Sequence, residues 1–535
     1  MKNKINIYVL IFPIIYFISS IFLLNQLSPI GLYNPDPSYQ YLFSGLQLLS
    51  FQAPQHIDHP GTPLQMLSAV IILCQWALSN LFSSSNEHSM FISVATSPEK
   101  YLYSFSIILN FLISVSLYYF GKKIHQLTHS VSLGALGQIS FFTLPNVLLV
   151  SFYPRPESLL ISVCFLLMSQ LIEILFDSQR EHNSRHNRFY VCILCGLGLA
   201  IKLTFLPLLG LIFIFDKRVW IKSACITALS FFVFTSPLIP AYKRLFDWLV
   251  SLVVFSGIHG SGKANFIDFG SATSALSVLI HTYSYYYTFL TIVVVILSIN
   301  VIRRASLNKI FYFVPKISLL QTKYLLVIFC IGITGTFMVM KHPGVIYLLP
   351  LIPLSIAGLI WVSELLLSAS KTLQISKRVI SIALIAYSCF TFVNNVLEVG
   401  SSLQVNKESA TALRGEILTQ LHKYPDRVVF GASGCTLSEC AISFALDSAP
   451  SIRSIIAPLL GSNFYLFNDY NGKLMSHQTG WISKPLADEI LRAHPDVFLV
   501  SPEDAEHFPM FDLIFVTGDK GQKLYRVVRI SQHYQ

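Results

Sequence analysis

Apolar runs close to twenty residues long recur along residues 1–396, and this repetition limits the fold more than any other feature of the chain. A stretch of that length, wound as a helix, crosses the hydrocarbon core of a bilayer. Only a helix or a closed barrel can satisfy its own backbone there. The charge content supports the same class: 12% of residues are charged, with a mean hydropathy of +0.60. An ordinary soluble domain carries about 25% charged residues. The opening MKNKINIYVLIFPIIYFISSIFLL places Lys2 and Lys4 before the first run. That run is longer than a signal-peptide core and no small-residue cleavage motif follows, so it reads as an uncleaved first span with a cytoplasmic N-terminus.

The pattern predicts a polytopic α-helical membrane protein of about 11 spans, near 6–28, 101–120, 131–150, 157–176, 189–202, 203–216, 222–240, 276–300, 323–340, 345–366 and 378–396. The pair over 189–216 is short and reads as a bent hairpin. Residues 64–82 are also apolar, and sidedness turns on them. If they lie along the outer surface, eighteen of the 25 Lys and Arg residues before 397 fall in inner loops and seven outside. The positive-inside rule favours that arrangement. It makes 64–82 a juxtamembrane helix in the first outer loop and puts the C-terminal segment outside.

The net charge of +10 is unevenly spread. Residues 1–396 hold 25 Lys+Arg against 12 Asp+Glu, and residues 397–535 hold 12 against 15. The basic excess therefore sits where orientation signals account for it, and no basic stripe interleaved with aromatics argues for nucleic acid. Residues 397–535 form a second expected domain, α/β or α+β. KESATALRGEILTQLHKY and SKPLADEILRAHP read as helices, and RVVFG, DVFLVS, FDLIFVTGD and LYRVVRI as short strands. Cys435 and Cys440 are its only cysteines, a pair for a disulfide on an oxidising face. The other seven show no metal-ligand spacing.

On the expected outer face, nearly every loop offers an acid, a base or a cation close to a membrane boundary, where ionisable groups are expensive. YNPDPSYQY holds Asp36 between two prolines that favour extended backbone. QHIDHPGTPLQ supplies His56, Asp58 and His59. YPRPE supplies Arg155 and Glu157, and GLGLAIKLT supplies Lys202. FSGIHGSGKANFIDF supplies His259, Lys263 and Asp268, and KHPGVIYLLP supplies Lys341, His342 and Tyr347. The set suits transfer from a lipid phosphate. A carboxylate takes the proton of an acceptor hydroxyl, and Arg and Lys hold the phosphate as it leaves. Within the set, GIHGSGK has P-loop spacing, but Ala264 stands where Ser or Thr would hold magnesium and no strand precedes it. A glycine loop closing over a substrate is the better reading of Lys263.

In order, these motifs resemble the GT-C superfamily of integral-membrane glycosyltransferases, in its protein O-mannosyltransferase and aminoarabinose-transferase branch. Those enzymes have an acidic residue in the first outer loop, as Asp36 is here, then a His-Pro-Pro stretch, where this chain has His59-Pro60-Gly61. They carry a second acidic motif in the next outer loop, matched by YPRPE, a glycine-rich helix ending in Lys before Thr, matched by GLGLAIKLT, and a late basic loop, matched by KHPGVIYLLP. The resemblance covers residues 1–366. Gly61 in place of the second proline, and Arg-Pro-Glu in place of a bare Asp, are departures that leave the sugar and acceptor open.

The resemblance implies inverting transfer of a sugar from an undecaprenyl-phosphate-like donor to an envelope glycan, lipid or protein at the periplasmic face of a bacterial inner membrane. Asp36 would be the base and Glu157 its partner. Arg155, Lys202 and Lys341 would hold the phosphate, with His342, Asp58, His59, Lys263 and Tyr347 lining the substrate site. No cofactor is expected. Related oligosaccharyltransferases use a divalent ion with diphosphate donors, whereas a monophosphate leaving group needs less neutralisation. Plainer roles exist for each group. Asn-Pro-Asp-Pro is also turn chemistry. Arg155 and Glu157 could pair at a helix start. Asp58 could orient His56 or His59, or cap the following helix. Lys202 could snorkel to the interface. Lys341 and His342 could be an anchoring pair. A transporter or flippase of lipid-linked glycans and a non-catalytic envelope scaffold are the alternative functions.

Overall fold

A computed structural model of the chain describes residues 7–27, 37–57, 59–82, 89–176, 184–255, 264–265, 269–304, 317–341, 344–367, 371–432, 435, 437–459, 463–468, 473–476, 478, 480–482, 484–518 and 522–530. The N-terminal part is helical: α1 (Ile7–Gln26), α2 (Ser38–Leu49), α3 (Thr62–Phe82), α4 (Met90–Thr96), α5 (Pro98–Thr128), α6 (Val131–Ile139), α7 (Pro145–Ser151) and α8 (Pro156–Phe176). There follow α9 (Ser184–Ile201), α10 (Trp220–Phe234), α11 (Tyr242–Val254), α12 (Phe269–Thr282), α13 (Ser284–Arg304), α14 (Leu319–Lys341), α15 (Ile352–Leu367) and α16 (Lys371–Leu421).

Local chemistry sets many of the boundaries. Pro98 and Glu99 open α5, and Pro156 and Glu157 open α8, in the first turn where a missing N–H and a negative charge both suit the helix. Ser130 accepts a hydrogen bond from the Leu133 N–H as the cap of α6. Pro145 and Pro237 sit at the breaks of two bent pairs, Val131–Thr143 with Pro145–Ser151 at 88° and Lys217–Phe234 with Ser236–Val254 at 80°.

Among the described residues, eight helices are long and apolar enough to cross a membrane, or ten if each bent pair is one span. The sequence count of 11 differs mainly at 189–216. There α9 is followed by a twelve-residue 3-10 segment, Leu203–Ile214, too short to cross. Helix α3 has the length and apolarity of a span. Side chains that a soluble domain would bury stand exposed, among them Ile221, Leu229 and Phe232 on α10 and Val250 and Val253 on α11. Such a face matches lipid rather than water. The chain is a multi-pass membrane protein.

Helix α16 is continuous over 51 residues, so the expected boundary at 397 falls inside it. Beyond it lie α17 (Ser438–Asp447), α18 (Arg453–Ile456), α19 (Lys484–Ala493) and a seven-stranded sheet. Its strands are β1 (Val428–Gly431), β2 (Phe464–Asn468), β3 (Lys473–Ser476), β4 (Gly480–Ile482), β5 (Val497–Ser501), β6 (Phe511–Gly518) and β7 (Lys523–Ile530), in the order β4-β3-β2-β1-β5-β7-β6. β1 runs parallel to β2 and β5, and the other pairs are antiparallel. β1 and β5 are buried along their whole length. Parallel central strands covered on both faces read as unbroken apolar runs. Ile417 and Leu421 of α16 pack on one face, beside the disulfide that joins Cys435 to Cys440. Phe508 and Ile490 pack on the other.

The sheet unit docks on α2. Gln40 Nε2 donates to Ser448 Oγ at 3.0 Å and Gln47 Nε2 to Ser451 Oγ at 2.9 Å, beside apolar contacts from Ile442, Leu446 and Ile456. At the same junction the Trp481 Nε1–H donates to Asp447 at 3.0 Å. Partial desolvation by the surrounding atoms holds the Asp447 carboxyl above its ordinary range, against the pull of that donor and of Arg453, although the residue keeps an exposed face. A raised folded-state value means that Asp447 favours folding below its unfolded value and that this contribution is lost as pH rises through the folded one. Asp447→Asn, which keeps an acceptor for Trp481 and cannot ionise, is therefore expected to melt above the parent at pH 7. The gap should close on acidification to about pH 4, in thermal unfolding followed across that range. A gap that widens on acidification would contradict the assignment.

Candidate active site

The first turn of α8 and the end of α9 meet through a buried ion pair. Lys202 Nζ pairs directly with Glu157 Oε1, and the two residues are 3% and 4% exposed. The backbone explains how Lys202 gets there. Its N–H still bonds to the Gly198 carbonyl at 3.0 Å, but its own φ of −157° is extended, so the chain leaves the helix at this residue. Arg155 lies two residues before Glu157. Its guanidinium lies 4.8 Å from the centroid of the Tyr153 ring. It still bears on Glu157 through charge.

The ammonium of Lys202 also stands 5.0 Å from the centroid of Tyr347, in the 3-10 segment Val345–Leu351. Tyr347 is 6.5 Å from the His59 ring, which meets Trp248 of α11 edge-on at 5.8 Å. The loop carrying His59 is tied to the same place. The Gly61 N–H donates to the Ile201 carbonyl at 3.2 Å, next to Lys202 in sequence. His59 and Gly61 both have positive φ, 64° and 62°. Tyr41 of α2 closes over Gly61 and meets His56 edge-on at 5.1 Å. Gln65 Nε2 holds the His56 carbonyl at 2.9 Å.

The structure thus brings Arg155, Glu157, Lys202, Tyr347 and His59 together. Lys341 is placed at the end of α14, where its Nζ donates to the Val253 carbonyl of α11. Asp36, Asp58, Lys263 and His342 lie outside the described residues, as do His259 and Asp268. Glu157 takes Lys202 as an ion-pair partner, and Lys202 is enclosed rather than snorkelling. Trp248 and Tyr41 were not singled out by sequence. A tryptophan in the amphipathic YKRLFDWLV at a membrane boundary was the available signal. Among the described residues no group of three or more His, Cys, Asp or Glu could hold a metal ion.

Such an arrangement is chemically suited to a phosphate. A cation held by a carboxylate in a dry site, with a second cation and a tyrosine alongside, can exchange its partner for another oxyanion. Two outcomes follow from the geometry. Glu157→Leu and Lys202→Met should each lower unfolding stability by about 3–5 kcal/mol, because each strands a buried charge, while the double variant should cost less than either alone. Thermal or denaturant unfolding of the three variants checks this. Gly61→Ala places a Cβ 2.5 Å from the Tyr41 hydroxyl at a left-handed φ. It should cost about 1–2 kcal/mol in backbone strain before any clash, read in the same assay.

No family model matches the chain, and no curated protein sequence matches it. Solved structures do. A crystal structure of ArnT from Cupriavidus metallidurans bound to undecaprenyl phosphate superposes with a TM-score of 0.53 at 11% identity, covering 96% of this chain and 97% of that one. The apo state of the same protein gives a TM-score of 0.51 at 12% identity over the same shares. The likeness shows that this chain shares the fold of that protein over almost its whole length, as expected for the GT-C membrane fold.

Proposed function

We propose that the chain is a membrane glycosyltransferase that moves a sugar from a polyprenyl-phosphate carrier to an acceptor hydroxyl at the periplasmic face of a bacterial inner membrane. The observation that carries this reading is the buried Glu157–Lys202 pair, with Arg155, Tyr347 and His59 gathered at the ends of membrane-length helices. A fold shared with a protein whose structure holds undecaprenyl phosphate supports it.

The reaction is a single displacement with inversion. The acceptor oxygen forms a bond to the anomeric carbon of the sugar and gives its proton to Asp36. The bond from that carbon to the phosphate oxygen breaks, and its electron pair leaves with the polyprenyl phosphate. Lys202 and Arg155 take the charge that develops on the phosphate, with Lys341 as a further cation at the rim. Glu157 holds Lys202 in position until the phosphate arrives. Asp36 directly precedes Pro37, whose carbonyl accepts from the Tyr41 N–H at 3.0 Å. One helical turn therefore separates Pro37 from the tyrosine that packs on Gly61. Asp58, His342 and Lys263 complete the substrate site in this reading, and the protein's own cations supply the positive charge.

The test is transfer in membranes given a radiolabelled polyprenyl-phosphate sugar. Asp36→Asn is expected to reduce transfer about 10²–10⁴-fold at unchanged protein level. Unchanged transfer in that variant would favour a scaffold, and carrier movement across the membrane without transfer by the parent would favour a flippase.

A further inference from the structure

The Glu157–Lys202 cluster lies at one end of α8, and a second polar cavity lies towards the other. It has a volume of about 690 Å³ and forms where α5, α8 and α9 come together. Gln170 is one of its lining residues. Thirteen positions separate Gln170 from Glu157, about 20 Å of helix at about 1.5 Å per residue. The cavity is therefore not part of the candidate active site.

Its lining is graded along the helices. Tyr119 of α5 and Leu166 of α8 lie deeper in the bundle, and Lys122, Lys123, Gln126 and Gln170 follow towards the helix ends. Tyr190 of α9 supplies the third wall. Tyr119 and Tyr190 are about half exposed, as aromatic residues at a membrane interface are. The charges do not cancel. Lys123 Nζ pairs with Glu173 at 2.7 Å. Lys122 has no carboxylate partner among the described residues, and its ammonium stands 5.6 Å from the Tyr118 ring centroid.

We propose that this cavity binds the headgroup of an anionic bilayer phospholipid. The phosphate meets Lys122, with Lys123 beside it. The amides of Gln126 and Gln170 face the headgroup oxygens, and Tyr119 and Leu166 pack on the glycerol and the first acyl carbons. Net positive charge at the helix ends, over an apolar floor between two membrane-length helices, matches a lipid that is charged at one end and greasy at the other. A free phosphate would use only the upper half of such a site. The cations of the neighbouring segments, counted above as facing the cytoplasmic leaflet, raise the local concentration of anionic lipid.

The test uses the purified full chain in detergent, with native mass spectrometry of bound lipid. Phosphatidylglycerol and phosphatidylcholine of identical acyl chains are compared, and inorganic phosphate is added as a competitor. Phosphatidylglycerol is expected to bind preferentially. Lys122→Gln should weaken it about fivefold, the effect of one lysine at a lipid headgroup. Lys423→Gln, an exposed lysine just beyond α16 and outside the cavity, should leave binding unchanged. Equal binding of the two lipids, equal loss in both variants, or displacement of the lipid by millimolar inorganic phosphate would each overturn the proposal. The lipid comparison on the unmodified chain decides the matter even if a variant fails to fold.

Discussion

The buried pair of Glu157 and Lys202 is the interaction on which the arrangement of the site depends. Two charges removed from water are tolerable only together, and separating them exposes each to a penalty of several kcal/mol. This fixes the start of α8 against the end of α9. It also accounts for the odd course of residues 189–216. Continuing α9 past Ile201 would carry Lys202 around the helix, so the chain turns extended at Lys202 and resumes as a 3-10 segment with Pro207 inside it. The loop carrying His59 attaches at the same point, through Gly61 and the carbonyl of Ile201.

Legibility in the sequence followed the range of the forces involved. The apolar runs of α1, α5, α8 and α14 declare themselves because membrane burial is a property of composition. The acids and cations at their ends stand out because few charges are present at all. Their partners were less legible. Arg155 and Glu157 are neighbours in sequence, yet residues two apart do not face each other at a helix start. Glu157 instead finds Lys202, 45 positions away. Tyr41 and Trp248 join the site through tertiary packing alone, which no local pattern records. In the C-terminal part, β1, β5, β6 and β7 were readable as dense β-branched and aromatic runs. Strands β2, β3 and β4 are three to five residues long and pair in succession outward from β1, β2 on β1, β3 on β2 and β4 on β3.

The sheet unit is coupled to the membrane part in two ways. Helix α16 runs without a break from the last membrane-length stretch into the packing beneath β1 and β5. Separately, α17 and the residues after it rest on α2 through Gln40, Gln47 and an apolar cluster. Helix α2 begins just after Asp36 and supplies Tyr41 to the His56–Gly61 loop. A displacement of the sheet unit would therefore reach that loop through a single helix of twelve residues.

The placement of polar groups along α8 shows why function in such a chain gathers at helix ends. From Leu160 to Ser169 the helix is mostly buried and presents aliphatic, aromatic, sulfur-bearing and small hydroxyl side chains, with Ser169 returning its hydrogen bond to the backbone at 2.8 Å. A charge in that middle stretch would need a partner at the same depth on a neighbouring helix. At the two ends the requirement relaxes, and there the charged residues appear: Glu157 against Lys202, and Glu173 against Lys123. The first pair is enclosed and the second partly exposed. Dielectric screening therefore differs between them, and an incoming anion would feel Lys202 far more strongly than Lys123 at equal distance. In the proposed reaction the donor phosphate is therefore assigned to the enclosed end. The open end suits looser association with whatever anionic lipid surrounds the protein.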